Sequence, residues 1–583
     1  ATLYEGNGTG QRVGDFVPFT DSETVANSTI FNDDDSAYLT RTYVTPTAAT
    51  TFTFACWFKP GSSTGDLYII STGTDSSSEG YIAINNSTGG GQIWIADPNA
   101  GSGNFGARTS ATFSDSSQWY HLCIGIDSTA GSGSRFKLEV NGVEQTMLDN
   151  LGGGSLPTEP SSSQSMKLNG ATDFSIGRRH RTSGEYFDGY LANVYFIDGE
   201  KKQASDFGQL DTSTNRWVSK AYSGSYGNNG FKLAFGTAST GNGNTNGVGT
   251  DTSGEGHNWT EQGFTTSDQV IDSPSQNFAT IDPVISNGAT PVTLSDGNLT
   301  GVRSASGFQQ AYSSFSGFRL QKNTGIYFAE VLMGADSSNF SVGVLSGDPP
   351  SSTNRYLGQD SNTYGYAYDS GNKVNNGTGA SYGATYTSGD VIGIEIDTDT
   401  GSINFHKNGS DQGQAFTGVP GPYSFAFDTE SGGGPNTFNF GQQMVLGGAS
   451  TTFNATAGGR FKHTPPTGAK ALNQDNLDDT ASKITAWAWI KNRDATDNHI
   501  LVDRVRGVGK DMHSNNTDAE ATNLNTVQRF LQRGVQIGSD VEVNTANESY
   551  VLWQWLLGDS ATTGSSITTG SPSLTTTGIV AAA

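Results

Sequence analysis

The stretch Gly389-Asp390-Val391-Ile392-Gly393-Ile394-Glu395-Ile396-Asp397-Thr398-Asp399-Thr400-Gly401-Ser402-Ile403-Asn404-Phe405-His406-Lys407-Asn408-Gly409 decides the fold. In its first half Ile392, Ile394 and Ile396 alternate with Val391, Gly393, Glu395 and Asp397, so one face is predicted to be buried and the other polar. In its second half Ile403 and Phe405 alternate with polar neighbours, and Asn408-Gly409 supplies the positive backbone angles of a tight hairpin. Two antiparallel strands of a half-buried sheet follow.

Similar runs extend in both directions. Upstream stand Ile326-Tyr327-Phe328-Ala329-Glu330-Val331, Ser341-Val342-Gly343-Val344 and Tyr364-Gly365-Tyr366-Ala367-Tyr368. Downstream stand Gly413-Gln414-Ala415-Phe416, Tyr423-Ser424-Phe425-Ala426-Phe427 and Asn439-Phe440-Gly441-Gln442. This order resembles the SPRY family, whose hallmark is a strand ending in Asp, a short turn, then a strand ending in Lys-Asn-Gly. The resemblance implies a curved antiparallel sandwich that binds proteins through loops at one edge, and it carries over no catalytic group.

The 583 residues are too many for one core and suggest several domains. Glycine is abundant (77 residues), only 15% of residues are charged and 10% are aromatic. The aromatics lie in alternating runs between Gly, Ser, Asn and Asp clusters, the pattern of many short strands joined by turns. A net charge of −24 opposes a polyphosphate partner, so no nucleic-acid role is expected. The basic cluster Arg178-Arg179-His180-Arg181 reads as a solvated loop. There is no charged, apolar leader and no run of ~18 apolar residues, so neither a signal peptide nor membrane insertion is expected. Cys56 and Cys123 both lie in apolar strand patterns, as a disulfide if those strands are neighbours or as two buried thiols.

A first sandwich is read over residues 28–235. It holds Phe52-Thr53-Phe54-Ala55-Cys56-Trp57-Phe58-Lys59, Trp119-Tyr120-His121-Leu122-Cys123, Phe136-Lys137-Leu138-Glu139-Val140-Asn141-Gly142 and Phe187-Asp188-Gly189-Tyr190-Leu191-Ala192-Asn193-Val194. The succession is similar to the laminin-G-like, concanavalin-A-like lectin group, which implies a jelly roll that binds glycans or proteins, with calcium sometimes held on its loops. The run Asp33, Asp34, Asp35 is the candidate for such a hard cation, since oxygen ligands suit calcium. No other cofactor is expected. His121, which alternates with strand residues, is read as packed within the sheet.

Residues 1–27 read as an N-terminal arm and 236–300 as a linker, in which isolated aromatics such as Trp259 and Phe278 pin the connection against a sandwich. The SPRY-like sandwich occupies 301–445. Thr464-Pro465-Pro466-Thr467-Gly468 marks a break inside 446–560, where a smaller β-rich module holds Ala486-Trp487-Ala488-Trp489-Ile490-Lys491-Asn492-Arg493 and Tyr550-Val551-Leu552-Trp553-Gln554-Trp555. Residues 561–583 form a Ser/Thr/Gly-rich tail. Laminin-G-like, SPRY-like and Trp-Ile-Lys-Asn-Arg units in this order resemble structural proteins of marine tailed phages.

Catalysis finds little support. A retaining glycosidase needs two carboxylates about 5 to 5.5 Å apart. Glu395 and Asp397 share one strand face, but Thr400 stands where a second Glu of a Glu-x-Asp-x-x-Glu run belongs. No nucleophile elbow, phosphate loop or paired-histidine metal motif is evident. Aromatic rings are the stronger candidates, because sugars and protein partners both stack on them. These are Trp94 beside Gly-rich loops, and Tyr364, Tyr366, Tyr368, Tyr382 and Tyr386 in the SPRY-like module.

The sequence thus predicts an all-β chain of tandem antiparallel β-sandwiches, jelly-roll then SPRY-like, with a smaller β-rich C-terminal module. The function expected is non-enzymatic: a virion protein, a tail fibre or receptor-binding appendage that adheres to host-surface glycan or protein. Its partners would be other virion proteins and further copies of itself, a trimer by analogy with phage fibres. The alternatives are a capsid decoration or head-fibre protein, and a polysaccharide-degrading enzyme of concanavalin-A-like fold.

Overall fold

The computed structural model describes residues 11–13, 23–61, 65–75, 78–97, 105–149, 158–182, 184–211, 216–283, 292–303, 308–314, 319–320, 322, 324–334, 341–350, 354–429, 434–443, 445–446, 449–454, 456–476, 484–503, 506–531, 534–545, 548–557 and 579–581. The chain forms two compact units, one of residues 19–473 and one of residues 1–18 with 474–583. Apart from short 3-10 turns, both are built of strands.

The larger unit begins with two eight-stranded antiparallel sheets. The first runs Val143–Glu144, Phe136–Val140, Tyr120–Asp127, Thr51–Pro60, Gly189–Asp198, Ser28–Phe31 and Gln269–Val270, with Phe231–Leu233 joined to Gly189–Asp198. The second runs Met147–Leu148, Phe105–Thr112, Gln92–Asp97, Gly80–Asn85, Leu67–Thr72, Asp173–Ile176, Tyr38–Thr42 and Thr260–Gln262. Alternation explains the core between them: Phe52, Phe54, Cys56 and Phe58 point inward from one sheet and Ile82, Ile84, Ile93 and Ile95 from the other. Cys123 pairs with Ala55, one residue out of step with Cys56, so the two thiols face opposite sides of the sheet and are free and buried.

Two further sheets form the SPRY-type sandwich. In one of them Val391–Asp397 lies between Ile326–Leu332 and Ser402–Lys407, and Ile326–Leu332 also takes the parallel strand Ala469–Ala471. Asn408 and Gly409 both adopt positive φ, at 48° and 81°, and close the hairpin between Lys407 and Ser410.

The segment between the sandwiches belongs to both. Gln269–Val270 adds a strand beside Ser28–Phe31, and Thr280–Ile281 pairs with Gln309–Ser314 of the second sandwich. Trp259 is fully buried in the first core, edge-on to Phe231 at 5.0 Å and Tyr43 at 6.0 Å. Glu261, also buried, accepts the Thr240 and Val248 N–H groups and orders the glycine-rich loop around it.

At the centre of this connection the Lys59 ammonium is fully enclosed. It donates to Asp272 Oδ2 at 2.8 Å, Asn277 Oδ1 at 2.8 Å and the Phe278 carbonyl at 3.1 Å, which satisfies all three of its donors. The Trp119 indole N–H and the Phe278 N–H fill Asp272 Oδ1, at 2.9 and 3.3 Å. Burial pulls Lys59 down and pushes Asp272 up in pKa despite their mutual attraction, so desolvation offsets much of the Coulomb gain. Such a pair adds little net stability but tolerates one arrangement only, because a lone buried charge is costly.

The smaller unit is a second kind of sandwich. Ile500–Asp503, Ile484–Asn492, Tyr550–Leu557 and Ile579–Ala581 form one sheet, and Gln11–Val13, Gly534–Ile537 and Val527–Leu531 form another. Ala488, Ile490, Ile500, Val502, Val527, Val535 and Ile537 make its core. Here Arg506 pairs with Asp503 and Glu520, while Lys491 caps the Asn492 and Ala495 carbonyls.

Lys59→Met leaves Asp272 buried without its cation and is expected to destabilise the larger unit by about 3–5 kcal/mol, read from urea midpoints. Adding Asp272→Leu should recover most of that loss, and a single variant at wild-type stability would contradict the assignment.

Candidate binding site

One face of the first sandwich is covered, and on the other Tyr81, Trp94 and Arg108 are partly exposed. Outside the first sheet, residues 200–226 lay Phe207, Trp217, Tyr222 and Tyr226 over Ala55, Cys123 and Tyr195. His121 lies here, as its alternation suggests, accepting the Trp217 indole N–H at Nδ1 (3.1 Å), with burial pushing its pKa down to about 3. The connecting segment covers the rest: Tyr190 donates its hydroxyl to the Gly297 carbonyl at 2.7 Å, with the Lys59 ammonium 5.2 Å from its ring.

The outer face of the second sheet carries the polar and aromatic side chains. Register aligns Tyr68, Ala83, Trp94 and Arg108 across neighbouring strands, and likewise Ser71, Tyr81, Ala96 and Gly106. Small residues thus separate large rings. Trp94 is half-buried, and neither its indole N–H nor Arg108 Nε has an acceptor. Arg108 donates instead through Nη1 to Gln92 at 2.8 Å.

Arg179 organises the other end of the face. Its guanidinium lies 5.1 Å from the Tyr68 ring and 5.9 Å from Tyr81. It pairs with Glu79 through Nε and Nη2 and with Glu185 through Nη1 at 2.9–3.0 Å. Arg178 stacks 3.7 Å from the Tyr38 ring, and Arg181 Nε lies 3.3 Å from Glu79. The Arg178–Arg181 cluster, expected as a solvated loop, is therefore an ion-paired corner, because its acidic partners arrive from another strand and turn.

Two of the carboxylates on this face, Glu79 and Glu185, are thereby occupied. Burial raises Glu185, but hydrogen bonds from Thr182 and Arg179 outweigh it and leave its pKa lowered. An anion held below the usual carboxylate range cannot supply the proton a glycosidase takes from its general acid. Glu395 and Asp397 of the second sandwich are likewise engaged. Glu395 Oε2 meets His406 Nε2 at 2.9 Å and Asn404 Nδ2 at 3.3 Å, and Asp397 accepts the Asp399 and Thr400 N–H groups and the Thr400 hydroxyl.

The five tyrosines separate into two groups. Tyr366 and Tyr386 are buried between the SPRY sheets, with Tyr366 5.2 Å from Phe405 and 4.9 Å from Tyr386, so neither offers a ring to a ligand. Tyr364 against Phe416, Tyr368 against Tyr386, and Tyr382 bonded to the Gly413 carbonyl stay half-exposed.

Asp33, Asp34 and Asp35 lie beside Asp188 and Asp296. Asp35 and Asp296 share the Asn32 amide, at 3.2 and 2.7 Å, and Asn32 Oδ1 accepts the Asp34 N–H. Asp188 is buried close by, and burial together with Asp33, Asp296 and Asp34 pushes its pKa well up. Among the described residues no group of three or more His, Cys, Asp or Glu is arranged to hold a metal ion, and no helix is long and apolar enough to cross a membrane.

Three families match parts of the chain. Residues 31–205 match the concanavalin A-like lectin/glucanases superfamily, 326–443 the SPRY domain and 473–581 a domain of unknown function. Over 155 residues the chain is 31% identical to a Ran-binding proteins 9/10 homolog of Drosophila melanogaster, covering 26% of this chain and 16% of that protein. Human Ran-binding protein 9 is 34% identical over 123 residues, covering 21% and 17%. The chain therefore spans less than a quarter of these relatives. Among solved structures, the SPRY domain of human HERC1 is 19% identical, covering 27% of this chain and 96% of that one with a TM-score of 0.23. A putative carbohydrate-binding protein from Bacteroides ovatus is 15% identical, covering 42% and 60% with a TM-score of 0.28. Two of the matched families thus coincide with the two sandwiches of the larger unit.

Two buried acids give the fold a pH dependence. Asp97, at the end of the Trp94 strand, accepts the Lys167 and Leu168 N–H groups, and Glu330 accepts those of Lys462 and His463. Burial raises each to about 7 against these bonds. The folded state then binds the proton more tightly than the unfolded chain, so this stability is complete below about pH 4 and is lost as pH rises through about 7. Urea midpoints are expected to fall between pH 5 and pH 8, and Asp97→Asn or Glu330→Gln should each flatten the fall. A midpoint rising across that window in the wild type would contradict it.

Proposed function

We propose that the chain is a non-enzymatic adhesion protein whose two sandwiches present separate contact surfaces. The Trp94, Tyr81, Arg108 and Arg179 face of the first is suited to glycan. The half-exposed Tyr364, Tyr368 and Tyr382 of the second are suited to a protein partner. The observation that carries this reading is the pairing of Glu79 and Glu185 with Arg179 on a face that also carries the Tyr81 and Trp94 rings. The matched families support a binding role at the level of the modules, and the relatives named for Ran binding favour a protein partner for the second sandwich.

The finer reading is a virion appendage, a tail fibre carrying several copies that hold host-surface glycan or protein. It rests on the order of modules in the sequence and on the gain in avidity that repeated weak contacts give. A capsid decoration protein would use the same surfaces, and labelling the chain on particles separates tail from capsid.

The full chain is expected to be retained by host-envelope polysaccharide without releasing reducing ends. Trp94→Ala should weaken retention about tenfold, the effect of losing one central stacking ring. Released reducing sugar that disappears on Glu79→Gln or Glu395→Gln would reject the reading in favour of an enzyme.

A further inference from the structure

The outward face of the C-terminal sheet breaks the usual alternation of a solvated sandwich. Trp487 pairs with Trp555 and Trp489 with Trp553, which places four tryptophans in one two-by-two block. Ring centroids are 4.1 Å apart for Trp487 and Trp555, 5.1 Å for Trp489 and Trp553, and 6.1 Å for Trp487 and Trp489. The core lies on the opposite side, where Ala488 and Ile490 are buried, so the block adds nothing to it. Trp553 is 44% exposed and the other three are half-buried. A contiguous apolar patch of this kind marks an interaction site.

The charges around the block select its occupant. Lys491 is spent on two carbonyls and Asp503 on Arg506, which also reaches Glu520. His499 Nδ1 accepts the Trp489 indole N–H at 2.8 Å, and burial and Lys491 lower its pKa, so the imidazole is neutral. Residues 474–583 carry eight Lys or Arg against thirteen Asp or Glu, a net of −5, within a chain of −24. An anionic polymer, whether nucleic acid or acidic polysaccharide, is repelled. Of the four, the Trp489 indole N–H is the one with an acceptor among the described residues. Rings with N–H edges suit a ligand of C–H faces and hydroxyl rims rather than an aliphatic one, which would need a groove of branched side chains.

We propose that the Trp487, Trp489, Trp553 and Trp555 block is a glycan-binding platform for uncharged, extended pyranose chains. It is distinct from the surfaces of the larger unit and does not depend on them. The block spans two strands and two side-chain steps, enough for about two consecutive sugar rings.

Native gels containing barley β-glucan, with dextran sulfate as the acidic counterpart, test this on the full chain. β-Glucan is expected to retard the wild type, Trp553→Ala to weaken that retardation about tenfold, and Phe453→Ala, an exposed ring elsewhere, to leave it unchanged. Trp553→Ala removes an exposed ring, and an unchanged urea midpoint would confirm its fold. No retardation by β-glucan, retardation by dextran sulfate alone, or retardation insensitive to both Trp553→Ala and Trp487→Ala would overturn the inference. So would loss on Trp94→Ala but not Trp553→Ala, which would leave the adhesion reading intact. Self-association abolished by Trp553→Ala without β-glucan binding would assign the block to a second copy and overturn it equally.

Discussion

A single ammonium group inside the larger unit constrains everything around it. Lys59 ends a strand of the first sandwich, yet its three acceptors come from residues 272–278, which continue into the second. Because a charge so deeply buried is tolerated only when every donor is met, the connecting segment has one permitted path. Asp272 in turn holds the Trp119 indole, and Asn277 donates to the Ser117 carbonyl at 2.9 Å, so the same few residues fasten a loop of the first sandwich as well. What composition suggests as a glycine-rich tether is part of a packed body.

That path determines which surfaces remain for function. Phe207, Trp217, Tyr222 and Tyr226 and the Tyr190–Gly297 contact cover parts of the first sheet, while Tyr81, Trp94 and Arg108 of the second face outward. Arg179 is matched there by Glu79 and Glu185, and Arg181 by Glu79. The C-terminal sheet reaches a similar result by another route, with rings grouped and charges neutralised locally.

How much of this could be read from sequence depended on the range over which each signal acts. Strand alternation is local, so the 389–409 hairpin, its Asn408-Gly409 turn and the all-β architecture were legible. The sequence offered Tyr364 and Tyr366 alike as candidates, but Tyr366 is buried because Phe405 of another strand packs on it, while Tyr364 beside Phe416 stays half-exposed. The Arg178–Arg181 cluster read as solvated because Glu79 lies 100 residues from Arg179. Lys59 stands at the end of the strand run from Phe52, and its partner is 213 residues away. The four tryptophans were visible as two dipeptide-spaced pairs, but their stacking needed the cross-strand register.

Hydrogen–deuterium exchange on the intact chain tests the central claim most directly, because it reads the backbone of the connecting segment itself. The Ile271 N–H bonds to the Gln442 carbonyl and the Ala279 N–H to that of Leu472, both at 3.0 Å. The account predicts that amides from 269 to 281 exchange as slowly as those of Thr51–Pro60 and Val391–Asp397. Exchange of that segment at the rate of a free peptide, while both sandwiches stay protected, would contradict it.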